Sequence, residues 1–449
     1  MAFSSVRWRP LALVAMFSCL SPSAFALPSF SSQTGVACAA CHTVAFGPGL
    51  TSYGQQFKLK GYVDGAAKTA IPPVSVMVIS SFTHTQTAQD GGAAPHFSPN
   101  NNSNIDQTSL FYAGRITQHV GAFIQATYDG IAHRFAWDNV DIRYANTATV
   151  AHHDLVWGIS ANNSPTTQDL WNTTPAWSYP YVASGLAPTP AAAPQIEGAL
   201  AQLVYGLTAY TMIDNLIYLE GGGYRTLPGR LLNGVGVEDA DTNPIHGLAP
   251  YWRVAIQKQQ GSSYGSLGLF GIALDQYPGG DRSAGVDRYT DLGYDATYGY
   301  SKGRHAVLFQ ATVIQELAKL RATQALGGAD SVSQRINTTR LNLQYTFAQT
   351  WAASAGLFAI RGTTDATLYA PAPVSGSASG SPNSRGWLAQ LEYVPTGRIK
   401  SLWAPYLNLR LGLQYTYYTQ FNGGGANYDG FGRSAHDNNT AFAFAWLAF

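Results

Sequence analysis

With a formal charge of +1 over 449 residues and only 11% charged side chains, the chain offers no electrostatic field for a nucleic acid. Its 12% aromatic content and 46 glycines are unusual for a water-soluble globule, in which about a quarter of residues are charged. Its cysteines, Cys19, Cys38 and Cys41, are too few for a disulfide scaffold or a four-thiol zinc site.

The first element is an export signal. Arg7 and Arg9 precede an apolar run from Leu11 to Leu20, and Ala24-Phe25-Ala26 supplies a small-x-small cleavage site, so residues 1–26 read as a signal peptide. Cys19 leaves with it, and Cys38 and Cys41 are then the thiols of the mature chain. They lie in VACAACHT, Val36 to Thr43. The spacing Cys-x-x-Cys-His is that of c-type haem attachment, in which two thiols form thioethers and the adjacent imidazole holds the iron. A dithiol or disulfide pair is the competing reading, but a thioredoxin-type motif belongs at the start of a helix in a βαβ unit, and no alternation of strand and helix follows. Cys38 and Cys41 are therefore expected to bind one covalent haem c, with His42 as proximal ligand. The haem segment, 27–71, is about 45 residues long, too short to bury much core of its own. Within it Leu50 to Tyr62 reads as a short helix capped by Thr51. Leu50, Tyr53 and Phe57 share one side of that helix, turned to the porphyrin or docked on the rest of the chain.

From residue 72 to 449 the pattern changes to strict alternation. Tyr406-Leu407-Asn408-Leu409-Arg410-Leu411-Gly412-Leu413-Gln414-Tyr415 and Arg340-Leu341-Asn342-Leu343-Gln344-Tyr345 place aliphatic and aromatic residues at every second position. An aliphatic face that ends in Tyr suits lipid better than water. No apolar run of helical transmembrane length follows the signal. Strand starts fall near residues 74, 105, 120, 136, 153, 196, 215, 247, 262, 285, 303, 332, 350, 384, 403 and 437, with long and short connections alternating except at about 131–135. The fold class is all-β: an antiparallel transmembrane β-barrel of about 16 strands with a short N-terminal c-type haem segment. Its place is the bacterial outer membrane, with outer-membrane lipid around it and the haem segment in the periplasm or the barrel lumen. The terminal Trp446-Leu447-Ala448-Phe449 matches the aromatic ending of such barrels.

Parity turns Arg115, Asp141, Arg143, Arg253, Asp291, Asp295, Arg340, Glu392 and Arg410 inward, where mixed charges pair across a narrow or plugged interior. The loop from Asn162 to Pro194, with Trp171, Trp177, Tyr179 and Tyr181, is expected to fold inward as a constriction. Glu238, Asp239 and Asp241 read as a solvated loop. For a sixth iron ligand the sequence leaves two options: Met77, inward on the first strand, or the turn histidines His119, His152 and His153, with His84 near the outer rim less suited.

The early Cys-x-x-Cys-His, the following Phe46-Gly47-Pro48-Gly49-Leu50-Thr51-Ser52-Tyr53-Gly54-Gln55-Gln56-Phe57-Lys58-Leu59-Lys60-Gly61-Tyr62 and a barrel of some 16 strands together resemble the fused cytochrome-porins of the outer membrane. The best-known members are ferrous-iron oxidases. The resemblance implies that single electrons pass between an extracellular donor or acceptor and periplasmic carriers. The chain departs from the iron oxidases after the motif, where Thr43-Val44-Ala45-Phe46 stands in place of a Gln-His-Phe-Pro-like context. The architecture therefore carries over better than the identity of the donor. One haem cannot span a hydrocarbon core of about 30 Å, so a periplasmic cytochrome or other electron carrier is implied as partner. The alternative is a solute porin whose haem segment acts as plug or small-ligand sensor. The sequence sets no oligomeric state, and no catalytic triad or zinc spacing occurs in it.

Overall fold

The computed structural model describes residues 29–65, 73–237, 243–396 and 407–449. The expected signal peptide and the acidic group Glu238, Asp239 and Asp241 lie outside the described residues.

Strands β1 (Val74–Thr85), β2 (Asn102–Arg115), β3 (Val120–Asp129), β4 (Arg134–Val150), β5 (His153–Asn162), β6 (Val204–Ile213), β7 (Ile217–Thr226) and β8 (Ala249–Gln260) follow one another around a closed sheet. It continues through β9 (Ser263–Gln276), β10 (Asp287–Lys302), β11 (His305–Lys319), β12 (Ser333–Phe347), β13 (Trp351–Gly362), β14 (Ser384–Tyr393), β15 (Asn408–Gln420) and β16 (Thr440–Ala448). β16 pairs back onto β1 with Ala448 opposite Met77 and Ala443 opposite Phe82, which leaves no free edge. The expected strand number and antiparallel order are thus observed.

The period of two has its expected physical meaning. On β12 Leu341, Leu343 and Tyr345 face outward and are exposed, while Asn342, Gln344 and Thr346 between them are buried inside. On β15 Leu411, Leu413 and Tyr415 face out, and Arg410 and Gln414 face in. Such a sheet buries its polar face in its own interior and offers hydrocarbon to its surroundings, the reverse of a soluble protein. Two-residue turns at 151–152, 261–262 and 303–304 gather at one end, and long loops such as 163–203 and 363–383 gather at the other. The connection at 130–133 is short where the alternation calls for a long one, as the sequence indicates.

One strand begins later than its expected start near 196. Gln195–Ala199 is instead a short helical turn, with Gly198 at φ +107°. Its backbone N–H groups are taken by the wall: Gln195 donates to Glu316 Oε2 (2.7 Å) and Ile196 to Asp291 Oδ2 (2.8 Å). Only at Val204 does the chain join the sheet.

Ahead of the barrel lie three short helices, α1 (Ser29–Thr34), α2 (Cys38–Cys41) and α3 (Ser52–Leu59). They sit inside the lumen at the short-turn end. Gln56 donates to Asn215 Oδ1 (2.5 Å), and Gln349 donates to the Ala39 carbonyl (3.0 Å); Asn215 and Gln349 belong to two of the short turns. At Gly121 on β3 the approach is so close that an added Cβ would meet the Gly61 carbonyl at 2.2 Å.

Candidate functional site

Helix α2 is a single turn, so Cys38 and Cys41, three residues apart, emerge on one side of it. Both thiols are free and half-buried. The chain leaves the turn in extended conformation at His42, which bridges to Leu50, and Thr43 donates to the Gly49 carbonyl (3.0 Å), closing 43–49 into a tight loop. Thr51 then ties α3 to α2. Its hydroxyl accepts from Gly54 N as the expected cap and donates to the Ala40 carbonyl (2.6 Å), while its N–H donates to the Cys41 carbonyl (2.9 Å). Gly54 is needed there because a Cβ would stand 2.4 Å from that same carbonyl oxygen.

The electrostatics keep all three motif residues neutral. Burial pushes His42 down to about 4, and Arg410 adds to the effect against the opposing carbonyls of Gly47 and Gly49. Burial likewise raises the Cys38 thiol, and raises that of Cys41 to about 11. A neutral imidazole is the form that binds iron. Its Nδ1 is buried, and the ring lies against the Gly47 and Gly49 carbonyls. Two free thiols on one side of a helical turn, followed directly by a neutral histidine, fit a covalently attached haem. Cys38 and Cys41 would hold it and His42 would ligate the iron; bound there, the group supplies reversible one-electron chemistry.

The wall grips this segment with inward-facing side chains. Tyr62 donates to Asp141 Oδ2 (2.6 Å), Tyr210 to the Leu59 carbonyl (2.8 Å) and Tyr264 to the Leu50 carbonyl (2.8 Å). Arg143 donates to the Lys58 carbonyl (3.1 Å), Arg410 to the Phe46 carbonyl (2.9 Å) and Arg115 to the Gly65 carbonyl (3.0 Å). Of the charges read as inward, Arg143 pairs with Asp141 (2.8 Å), Arg410 with Glu392 (2.6 Å) and Arg253 with Asp295 (2.9 Å), Arg340 pairs with Glu197 of the long loop (2.9 Å), and Asp291 accepts from the Ile196 N–H of that loop.

From the opposite end the loop 163–203 folds in, as expected of it. Asp169 accepts from Thr173 N and Thr174 N and forms an ion pair with Arg253 (3.2 Å), and Trp171 donates to Gln257 Oε1 (3.0 Å) against the ring of Tyr218. Loop and segment meet at Lys58. Its ammonium donates to the Thr167 carbonyl (2.8 Å) and Asn172 Oδ1 (2.9 Å) and lies over the Trp177 ring, and Asn172 in turn donates to the Pro48 carbonyl (2.8 Å). A cavity of about 280 Å³ is left between the loop and the wall of β11 to β15.

Not every expected placement holds. Phe57 is buried against Phe30 (5.0 Å) and Tyr62 (6.0 Å) and Leu50 is buried, whereas Tyr53 is 45% exposed, so only part of this side docks on the rest of the chain. Phe30, 27 residues earlier, and Tyr62, five residues on, pack against Phe57 on that side. Met77 is buried and inward, in one cluster with Val44, Phe46 and Trp446 on which Cys38 also packs. The turn histidines are placed otherwise: His119 contacts the Ala145 carbonyl (3.2 Å) and His153 pairs with Asp214 (2.5 Å), and His84 meets Asn101 on the exposed side. Asn408 and Tyr264 contact the segment without having been singled out, and Trp446, read from sequence only as part of the aromatic ending, packs on Phe46. Inward parity marks a side chain as lumenal but says nothing of which segment fills the lumen.

No family model and no curated protein sequence matches the chain. Among solved structures it is similar to the anion-selective porin from Comamonas acidovorans at 12% identity, over 84% of this chain and 98% of that one, with a TM-score of 0.44. The outer membrane channel DcaP of Acinetobacter baumannii gives 9% identity, 84% and 96% coverage and a TM-score of 0.45. In-vitro folded OmpT of Vibrio cholerae gives 10% identity, 84% and 96% coverage and a TM-score of 0.40. On its own strand pairing and lipid-facing belt the chain is a porin-like outer-membrane β-barrel.

Proposed function

We propose that this barrel carries one covalent haem c on Cys38 and Cys41, ligated by His42, and passes single electrons between an extracellular donor or acceptor and a soluble carrier at the short-turn mouth. The observation that carries the reading is the position of the Cys-x-x-Cys-His turn: it is held inside the lumen by wall side chains and met there by an inward loop that crosses the interior. A lumen filled this way is poorly suited to solute flow and well suited to holding a redox group away from lipid and bulk water. Residues 27–71 then act as the haem segment, 72–449 as the sleeve, and a periplasmic cytochrome or equivalent carrier as the partner.

The porin-like barrel favours a second reading, in which the segment is a plug or small-ligand sensor in a solute channel. Proteoliposomes separate the two. With a trapped electron acceptor inside and a membrane-impermeant reductant outside, the conduit reading expects reduction of the acceptor by the parent protein and none by Cys38→Ala with Cys41→Ala, which also loses haem staining on a denaturing gel. Swelling in small sugars without acceptor reduction would support the porin instead.

A further inference from the structure

The described haem segment is too slight to enclose a porphyrin alone. Its helices have 6, 4 and 8 residues, and most of its aromatic side chains are engaged elsewhere: Phe30, Phe57 and Tyr62 pack on one another and Phe46 packs on Trp446, which leaves Tyr53 exposed. A haem left that exposed would have no apolar enclosure. Something else must provide one.

The lumen of a transmembrane barrel is ordinarily polar. On the side where Cys38 packs, four adjacent strands add apolar side chains to inward polar ones such as Ser81, Ser109 and Gln125. β16 turns Phe442, Phe444 and Trp446 inward, β1 turns Met77 and Ile79, and the inward aromatics of β2 and β3 are Phe111 and Phe123. Part of this surface is covered by Val44, Ala45 and Phe46 and by Tyr181 and Val182 of the inward loop; Phe111 and Phe123 are half-buried, Phe123 with Phe30 (6.5 Å) and Trp177 (5.9 Å) beside its ring. Two further observations point to a missing ligand. The indole Nε1 of Trp446, 91% buried as a residue, has no acceptor among the described residues, and a buried unpaired donor costs about 1–3 kcal/mol. Register supplies the other: Asn408, Ala448 and Met77 stand in one row across β15, β16 and β1, and the Asn408 amide lies 3.9 Å from Cys38 Sγ. Two strand spacings place the Met77 backbone about 10 Å from that of Asn408.

We propose that the lumen face of β16, β1, β2 and β3 is the second half of the haem pocket, with Phe111, Phe123 and Trp446 lining it and Met77 as the axial donor opposite His42. This rests on the haem c reading above. The barrel is then part of the cytochrome and not merely its sleeve. A neutral thioether suits an apolar wall better than a turn histidine would, and a His/Met pair raises the reduction potential relative to two imidazoles. The unpaired Trp446 N–H is left for a carboxylate of the porphyrin.

The test is optical and potentiometric spectroscopy of full-length holoprotein, with haem staining and heat-modifiable migration as controls for loading and folding. Met77→Leu, which keeps the apolar volume, should convert low-spin ferric haem to high-spin and admit added imidazole. Met77→His should restore the low-spin state at a lower potential. Trp446→Phe and Phe123→Ser should keep the spin state but shift the potential. Parent protein without haem stain would remove the underlying reading. Stained, folded Met77→Leu with the parental spectrum would overturn the axial assignment, and parental potentials in both Trp446→Phe and Phe123→Ser would overturn the wall as pocket.

Discussion

Strands β4, β6, β8 and β10 present Asp141, Arg143, Tyr210, Arg253 and Asp295 to the lumen, whereas β16, β1, β2 and β3 present Phe444, Met77, Phe111 and Phe123. Both sides have the same alternation and the same lipid-facing exterior. The polar side grips: its charged and phenolic groups bond the backbone of α3, Tyr62 and the inward loop. The apolar side receives, since it packs against Cys38 and the 44–46 stretch by surface alone. One wall therefore holds the segment mostly by direction-dependent bonds, and the other, apart from bonds such as Arg115 to the Gly65 carbonyl (3.0 Å), offers an apolar surface beside its thiols.

The sharpest break between the two sides should come from Arg143→Ala. It leaves Asp141 buried without its guanidinium and frees the Lys58 carbonyl and the Tyr62 ring, a loss of about 3–5 kcal/mol for a broken buried pair. The segment should become cleavable by added protease while heat-modifiable migration persists, because the strand ladder does not depend on it. A change of the same kind on the apolar side, Met77→Leu, should leave protease resistance unaltered.

A smaller effect is expected within the segment itself. Gly54→Ala forces a methyl against the Cys41 carbonyl, an overpacking cost of about 1–3 kcal/mol that falls on the joint between α2 and α3. The haem-to-protein absorbance ratio of purified protein should fall, with barrel migration unchanged.

The least effect, and the most specific to the polar side, is a pH dependence at Lys58. Burial, reinforced by Arg143, pushes its ammonium down to about 7, below the usual value of about 10.5. Between those values the assembled lumen binds fewer protons at this site than the released segment does, so the contact is weakest below about pH 7 and strengthens as pH rises above it. Protease resistance of the segment should increase from mildly acidic to mildly alkaline buffer, and Lys58→Met should remove that dependence.

The sequence by itself determined the barrel, because a period of two between lipid and lumen is written into every strand and turn lengths alternate with it. It also marked the Cys38-Cys41-His42 motif, whose spacing is local, and the Thr51 cap, which acts within one helical turn. It placed Met77, Arg143 and Arg410 inward by parity. What it did not contain is which inward side chain meets which part of the segment. Leu50, Tyr53 and Phe57 looked like one face at helical spacing, yet Phe57 turned to Phe30 and Tyr62, and the strand expected near 196 gave way to a turn anchored on Asp291 and Glu316. Only the tertiary structure decided these, because closing the sheet brings residues hundreds of positions apart, such as Phe46 and Arg410, to hydrogen-bond distance. Parity fixes the side of the wall on which a residue stands; its partner is fixed by the register of sixteen strands and by what fills the space they enclose.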